Sequence, residues 1–182
     1  MTAPAPGPLW LLTGIQTAGK STVADLLARR YPRGVHVRGD LFRRMVVTGR
    51  ADMTPEPSAD ALAQLGLRYT LGARTADAYA TAGFAVAYQD VILGPLLETV
   101  VQMLASRPRR VVVLAPRPEV VAAREAARTK TAYGDGGFSV ARLDTLLRHA
   151  TPHLGLWLDN SDLTPEQTVD HLLAREAEAT ID

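Results

Sequence analysis

Two hydrophobic rhythms alternate along this chain. Leu9-Trp10-Leu11-Leu12 is an uninterrupted apolar run, the pattern of a strand covered on both faces, and it predicts a first strand over Leu9–Thr13. Behind it, Val23, Ala24, Leu26 and Leu27 return at helical spacing, so a helix is expected from Lys20 to about Arg30. Tyr31-Pro32-Arg33-Gly34 is a turn, Val35-His36-Val37 a short second strand ending at Gly39-Asp40, and Leu41 to Thr48 a helix. After a loop over Gly49–Pro57, Ser58 caps a long helix to about Ala82, with Leu62, Leu65, Tyr69, Gly72, Ala76 and Tyr79 on its apolar face.

The alternation continues to the end. Phe84–Tyr88 is a third strand running into Gln89-Asp90, Gly94–Ala105 a helix, and Arg110–Leu114 the clearest buried strand. Pro118 opens a helix at its favoured first-turn position, and that helix runs into Lys130 and the Gly-rich loop Gly134–Gly137. A helix over Val140–Ala150, a last strand over Leu154–Leu158 and a helix capped by Thr164 and begun by Pro165 complete the chain. Strands alternating with helices predict an α/β fold with five parallel strands, in one domain over residues 1–182 with an N-terminal tail at 1–8.

Composition narrows the picture. The 182 residues are 47% hydrophobic with a net charge of +1, which gives no reason to expect nucleic acid or an anionic membrane as a partner. There is no cysteine, so disulfides, a thiol nucleophile and a cysteine-based zinc site are excluded, and the four histidines lack ligand spacing. No apolar stretch approaches membrane-spanning length, and a cytoplasmic location is expected; oligomerisation is left open.

Between the first strand and its helix lies Gly14-Ile15-Gln16-Thr17-Ala18-Gly19-Lys20-Ser21, followed by Thr22. This is a complete G-x-x-x-x-G-K-[ST] loop in the strand–turn–helix setting that gives the pattern its meaning. Its glycines let successive N–H groups curl around a phosphate, and the helix N-terminus adds partial positive charge. Lys20 would reach the β- and γ-phosphates of a nucleotide and the Ser21 hydroxyl would ligate Mg²⁺. Only Lys20 and Lys130 among the 20 basic residues are lysine. The chain keeps a slim ammonium at the one place where the broad guanidinium fork is no equivalent.

In an open α/β sheet, ligands lie beyond the carboxyl ends of the strands. Asp40 follows the second strand and suits two roles: orienting and deprotonating an attacking hydroxyl, or capping the next helix. Asp90, after the third strand, suits a ligand to Mg²⁺-bound water or a turn aspartate. Asp159 and Ser161, after the fifth, suit the base end of a nucleotide or a cap. Arg124 and Arg128 share a helix face just before the Gly-rich loop, as in a lid over about 124–137 that brings arginines to a transferring phosphate. A solvated helix face is the plain alternative. Arg43, Arg44 and Arg68 are weaker candidates for substrate contact.

With these residues in place the chain resembles the small phosphate-loop (P-loop) kinases, and within them the chloramphenicol phosphotransferase-like group. Thr17-Ala18-Gly19-Lys20-Ser21 resembles that group's loop, Gly39-Asp40 falls at its catalytic aspartate, Asp90-Val91-Ile92-Leu93-Gly94 looks like its third-strand exit, and Arg124-Glu125-Ala126-Ala127-Arg128 looks like its lid helix. The chain departs from that group at Gln89, where a second acid is expected, and across Arg43–Ala59. The resemblance implies a three-layer fold with a five-stranded parallel sheet and a mobile lid, ATP with Mg²⁺, and phosphorylation of a hydroxyl on a small molecule such as an antibiotic or related metabolite. Phe42-Arg43 also looks like zeta-toxin-type nucleotide-sugar kinases. A regulatory NTPase is the competing class, although the chain lacks the D-x-x-G and N-K-x-D sequences of GTPases.

Overall fold

A computed structural model describes residues 5–127 and 138–182. Five strands, β1 (Leu9–Thr13), β2 (Gly34–Arg38), β3 (Ala85–Gln89), β4 (Arg109–Leu114) and β5 (Leu156–Leu158), form one sheet in the order β2-β3-β1-β4-β5. Every pairing is parallel. All five residues of β1 are buried, as the uninterrupted apolar run predicts for a central strand covered on both faces.

Strand alternation divides the core into two layers. Leu9, Leu11, Val86, Tyr88, Val111 and Val113 point to one face. They pack there against Tyr69, Ala73, Ala76 and Ala80 of α3 (Ala59–Thr81), Leu97 and Val100 of α4 (Leu96–Met103), and Leu143 and Leu147 of α6 (Val140–Ala150). Trp10, Leu12, Ala87, Val112 and Leu114 point to the other face, against Val23, Ala24 and Leu27 of α1 (Lys20–Arg29) and Val169 and Leu172 of α7 (Pro165–Ala174). Helix, sheet, helix is the three-layer arrangement expected.

The helix starts follow local chemistry. The Ser58 and Ser139 hydroxyls accept from Ala61 N and Arg142 N, and Thr164 with Gln167 forms a reciprocal capping box. The buried face of α3 keeps Tyr69, Gly72 and Ala76 of the expected one, with Leu65 packed against the core, but Leu62 and Tyr79 are 51% and 42% exposed and Ala61, Ala73 and Ala80 are buried in addition. Small residues let the helix lie close on the sheet. A Cβ at Gly72 would stand 2.5 Å from the Tyr88 hydroxyl.

Other boundaries shift slightly. Helix α2 (Gly39–Arg44) ends four residues short of the expected Thr48, and β3 ends one residue later than expected, at Gln89. Helix α5 spans Pro118–Ala126; Arg128, Lys130 and the loop Gly134–Gly137 lie outside the described residues. An unpredicted short helix, α8 (Glu176–Ala179), leads Thr180 into an antiparallel bridge with Arg110. Among the described residues no helix is long and apolar enough to cross a membrane.

Candidate active site

The loop after β1 has the backbone that its glycines allow. Gly14 sits at φ 144° and Gly19 at φ 96°, both in the region L side chains rarely enter, and Thr17 joins them at φ 59°. Gly14 is doubly constrained, since a Cβ there would stand 2.4 Å from the Leu114 carbonyl oxygen. Ile15 and Ala18 are buried and anchor the loop, while Ser21 and Thr22 are exposed at the start of α1. Gly19 is the N-cap of α1 and no side chain caps that helix, so its first turn faces the loop as an anion-binding terminus.

Lys20 folds back over this loop. Its Nζ donates to the Ile15 carbonyl at 2.7 Å, and the residue is 7% exposed. Asn160, beyond β5 and 3% exposed, holds the loop from the other side by donating Nδ2 to the Ala18 carbonyl at 3.1 Å. The Asn160 carbonyl accepts from Arg124 Nη2 at 3.0 Å. One residue therefore ties the phosphate loop to α5. Asp159 and Ser161 close a local turn instead: Ser161 N donates to Asp159 Oδ1 at 2.9 Å, and Ser161 Oγ accepts from Arg117 N at 2.8 Å.

The loop is continuous with the ends of β2 and β3. Thr13 Oγ1 donates to the Ile92 carbonyl at 2.8 Å and accepts from Ile92 N at 2.9 Å, and Asp90 N donates to the Leu12 carbonyl at 3.2 Å. Asp90 in turn lies against the backbone of Gly39, where a Cβ would stand 1.9 Å from its Oδ2. Asp40 is thereby brought to the same edge of the sheet as Gly14–Ser21.

Asp40 occupies the first turn of α2; the N-cap is Arg38, with no side-chain cap. Its carboxylate is held by arginines: Arg38 Nε and Nη2 lie 3.3 Å from its two oxygens and Arg44 Nη2 lies 2.8 Å from Oδ2. Asp90 suits a ligand to metal-bound water or a turn aspartate, and Val91 N donates to its Oδ1 at 2.7 Å. Its side chain is 1% exposed, and Arg68 engages both oxygens, with Nε 2.7 Å from Oδ2. Arg43 bonds Asp52 rather than Asp40. Arg128, the second expected lid arginine, lies outside the described residues.

Burial shapes the ionisable groups behind the site. Desolvation raises Tyr69 to about 12 and pushes Tyr88 higher still, so both phenols stay protonated; Tyr69 Oη donates to the Val91 carbonyl at 2.7 Å. Desolvation lowers Arg68 and, with help from Arg38, lowers His36. Among the described residues no group of three or more His, Cys, Asp or Glu is placed to hold a metal ion. Ser21 is exposed at the head of α1, and Asp90 has both carboxylate oxygens bonded by Arg68.

The sequence pattern did not disclose two of these features. The Arg68–Asp90 pair joins residues 22 apart, and no local signal marks it. Asn160 is the one asparagine of the chain, and no motif marks it.

Known structures share this architecture. The chain is similar to a sugar kinase from Janibacter sp. HTCC2649 solved without ligand, at 19% identity over 96% of each chain, with a TM-score of 0.70. It is similar to the Mycobacterium tuberculosis APS kinase CysC in complex with AMPPNP and APS, at 14% identity over 96% of this chain and 99% of that one, TM-score 0.66. A gluconokinase from Sinorhizobium meliloti 1021 matches at 20% identity over 96% and 93%, TM-score 0.60. These likenesses establish the fold of P-loop kinases. No curated protein matches the sequence. A family model described as an AAA domain matches residues 9–153, from the first residue of β1 to just past α6, and the chain belongs to that family, AAA_33.

Proposed function

We propose that the chain is an ATP-dependent kinase that phosphorylates a hydroxyl of a small molecule. One observation carries this assignment: an arginine-held carboxylate, Asp40, stands at the same sheet edge as a phosphate loop opening an uncapped helix. A nucleotide switch needs the loop; a carboxylate oriented beside it is what an acceptor hydroxyl needs. The solved kinases of similar fold, which act on a sugar, gluconate and APS by their names, support the same class.

The residues divide the work as follows. The N–H groups of Gly14 to Thr22 receive the nucleotide phosphates, and Lys20 moves its ammonium from the Ile15 carbonyl onto them. Ser21 is the residue to hold Mg²⁺, which when bound neutralises phosphate charge. Asp40 accepts a hydrogen bond from the acceptor hydroxyl and takes its proton as the oxygen bonds to the γ-phosphorus and ADP departs. Positioning supplies most of the rate in such a transfer. Arg124, which donates to the Asn160 carbonyl, is the proposed donor to the transferring phosphoryl group, with Arg128 as its companion. Asp90 enters as the anchor of Arg68 and the wall behind Asp40.

An acceptor library with ATP and Mg²⁺, followed by mass spectrometry for a product heavier by one phosphoryl group, tests the assignment. Nucleotide turnover that no acceptor accelerates would contradict it and favour a regulatory NTPase. The antibiotic acceptors of the chloramphenicol phosphotransferase-like group are one part of that library.

A further inference from the structure

The positive charge around Asp40 exceeds what orienting one carboxylate requires. Arg38 and Arg44 share Asp40, and both approach its Oδ2. A second such group begins at Arg43, the residue before Arg44: Arg43 Nε donates to Asp52 Oδ1 at 2.9 Å, and Arg50 Nε lies 3.5 Å from the same oxygen. Four guanidinium groups therefore share two carboxylates. Two further acids are engaged elsewhere. Asp90 is occupied by Arg68, and Asp60 bonds the side-chain amide of Gln64, which itself bonds Gly49 O and Ala51 N. The two groups are joined through α2, whose consecutive residues Arg43 and Arg44 bond Asp52 and Asp40.

These arginines are not needed by the core. Their side chains are 39% (Arg38), 42% (Arg43), 63% (Arg44) and 45% (Arg50) exposed, a setting in which ion pairs contribute little to stability. What exposed guanidinium groups do well is grip a carboxylate or phosphate with a planar fork. Arg38 and Arg44 reach Asp40 itself, and Arg43 leaves the same helix next to Arg44.

We propose that the acceptor is an anion: a hydroxylated small molecule carrying a carboxylate or phosphate, held by Arg43, Arg44 and Arg50 while Asp40 takes the reacting hydroxyl. The proposal rests on the kinase activity above and names its substrate class. The hydroxyl oxygen forms the bond to the γ-phosphorus, the bond from that phosphorus to the β–γ bridging oxygen breaks, the proton passes to Asp40, and ADP leaves. The acceptor's anionic group is unchanged throughout.

Calorimetric titration of the full chain, with its phosphate loop filled by AMPPNP and Mg²⁺, tests the anion site apart from catalysis. The probes are matched sets of a neutral sugar or polyol, its acid and its phosphate ester, with glucose, gluconate and glucose 6-phosphate among them. At least one acid or ester should bind about tenfold or more tightly than its neutral parent, and the tighter form distinguishes carboxylate from phosphate. The Arg44→Gln/Arg50→Gln variant should lose that preference while keeping its melting temperature and AMPPNP affinity, because both side chains are exposed. No preference for anions in any set, or a preference that survives in the double variant, overturns the proposal. ADP release on the same panel with ATP is read separately: an arginine-dependent anion preference without any ADP release would keep the anion site and remove the kinase activity it serves.

Discussion

Arg68 of α3 and Asp90 at the end of β3 form a two-pronged ion pair closed against the backbone of Gly39, with the carboxylate 1% and the guanidinium 16% exposed. The pair sets the floor on which Asp40 stands. A buried carboxylate stripped of its partner is costly, so Arg68→Met should destabilise the fold by about 3–5 kcal/mol. Adding Asp90→Asn should recover much of that loss, since the stranded charge is gone. Urea denaturation of the single and double variants measures both, and a loss below about 1 kcal/mol in the single variant would show that the pair does not organise this edge.

Asn160 should act on nucleotide binding without touching the acceptor side. Its amide is the side-chain bond from β5's exit to the phosphate loop at Ala18, and it is buried. Asn160→Ala removes that bond and leaves the Ala18 carbonyl without it, an effect of about 1–3 kcal/mol. ATP affinity should fall by about tenfold with a smaller change in the KM for the acceptor. A variant with unchanged ATP affinity would mean that the loop holds its shape unaided.

His36 should give stability a pH dependence. Burial, then the charge of Arg38, lowers its pKa below the ordinary 6.5, although Asp25 and Asp40 pull the other way. Above 6.5 the imidazole is neutral in both the folded and unfolded chain, and its contribution is fully present. As pH falls from 6.5 toward the folded value, the unfolded chain takes up a proton that the folded chain refuses, and stability is lost. Melting temperatures between pH 7.5 and 5 should therefore drop less in His36→Gln than in the wild type. Parallel curves would show that His36 is not the group responsible.

Asp40→Asn keeps shape and one acceptor oxygen but loses charge and basicity. ATP affinity should survive while phosphoryl transfer falls by about 10²-fold or more, the usual scale for a general base. Steady-state kinetics with a turned-over acceptor decides it. Unchanged transfer would leave Asp40 as a partner of Arg38 and Arg44 and nothing more.

The parts of this molecule legible in its sequence are those fixed by local pattern. The apolar runs of β1 and β4, the caps at Ser58 and Thr164, and the strand–loop–helix around Lys20 each depend on residues close in the chain. What escaped depends on distant partners. The face of α3 runs through Tyr69, Gly72 and Ala76 as expected but turns toward Ala73 and Ala80, because small residues admit close approach, and leaves Leu62 and Tyr79 exposed. Asp40 and Asp90 look alike in sequence, each closing a strand. Their environments part only because Arg68, from a helix between them in the chain, reaches Asp90. Helix α8 is four residues long, too short for any periodicity, and is fixed by Arg110 bonding Glu176.

The central claim is that Gly14–Thr22 binds a nucleoside triphosphate through Lys20, and the thermal midpoint with and without ATP and Mg²⁺ tests it most directly. A ligand selective for the native state, present at a hundredfold over its Kd, adds about 2.7 kcal/mol of stability. The wild type should show a saturable rise in melting temperature, and Lys20→Ala, with its own unliganded midpoint near that of the wild type, should show little or none. No rise in the wild type, or an undiminished rise in Lys20→Ala, would contradict the account.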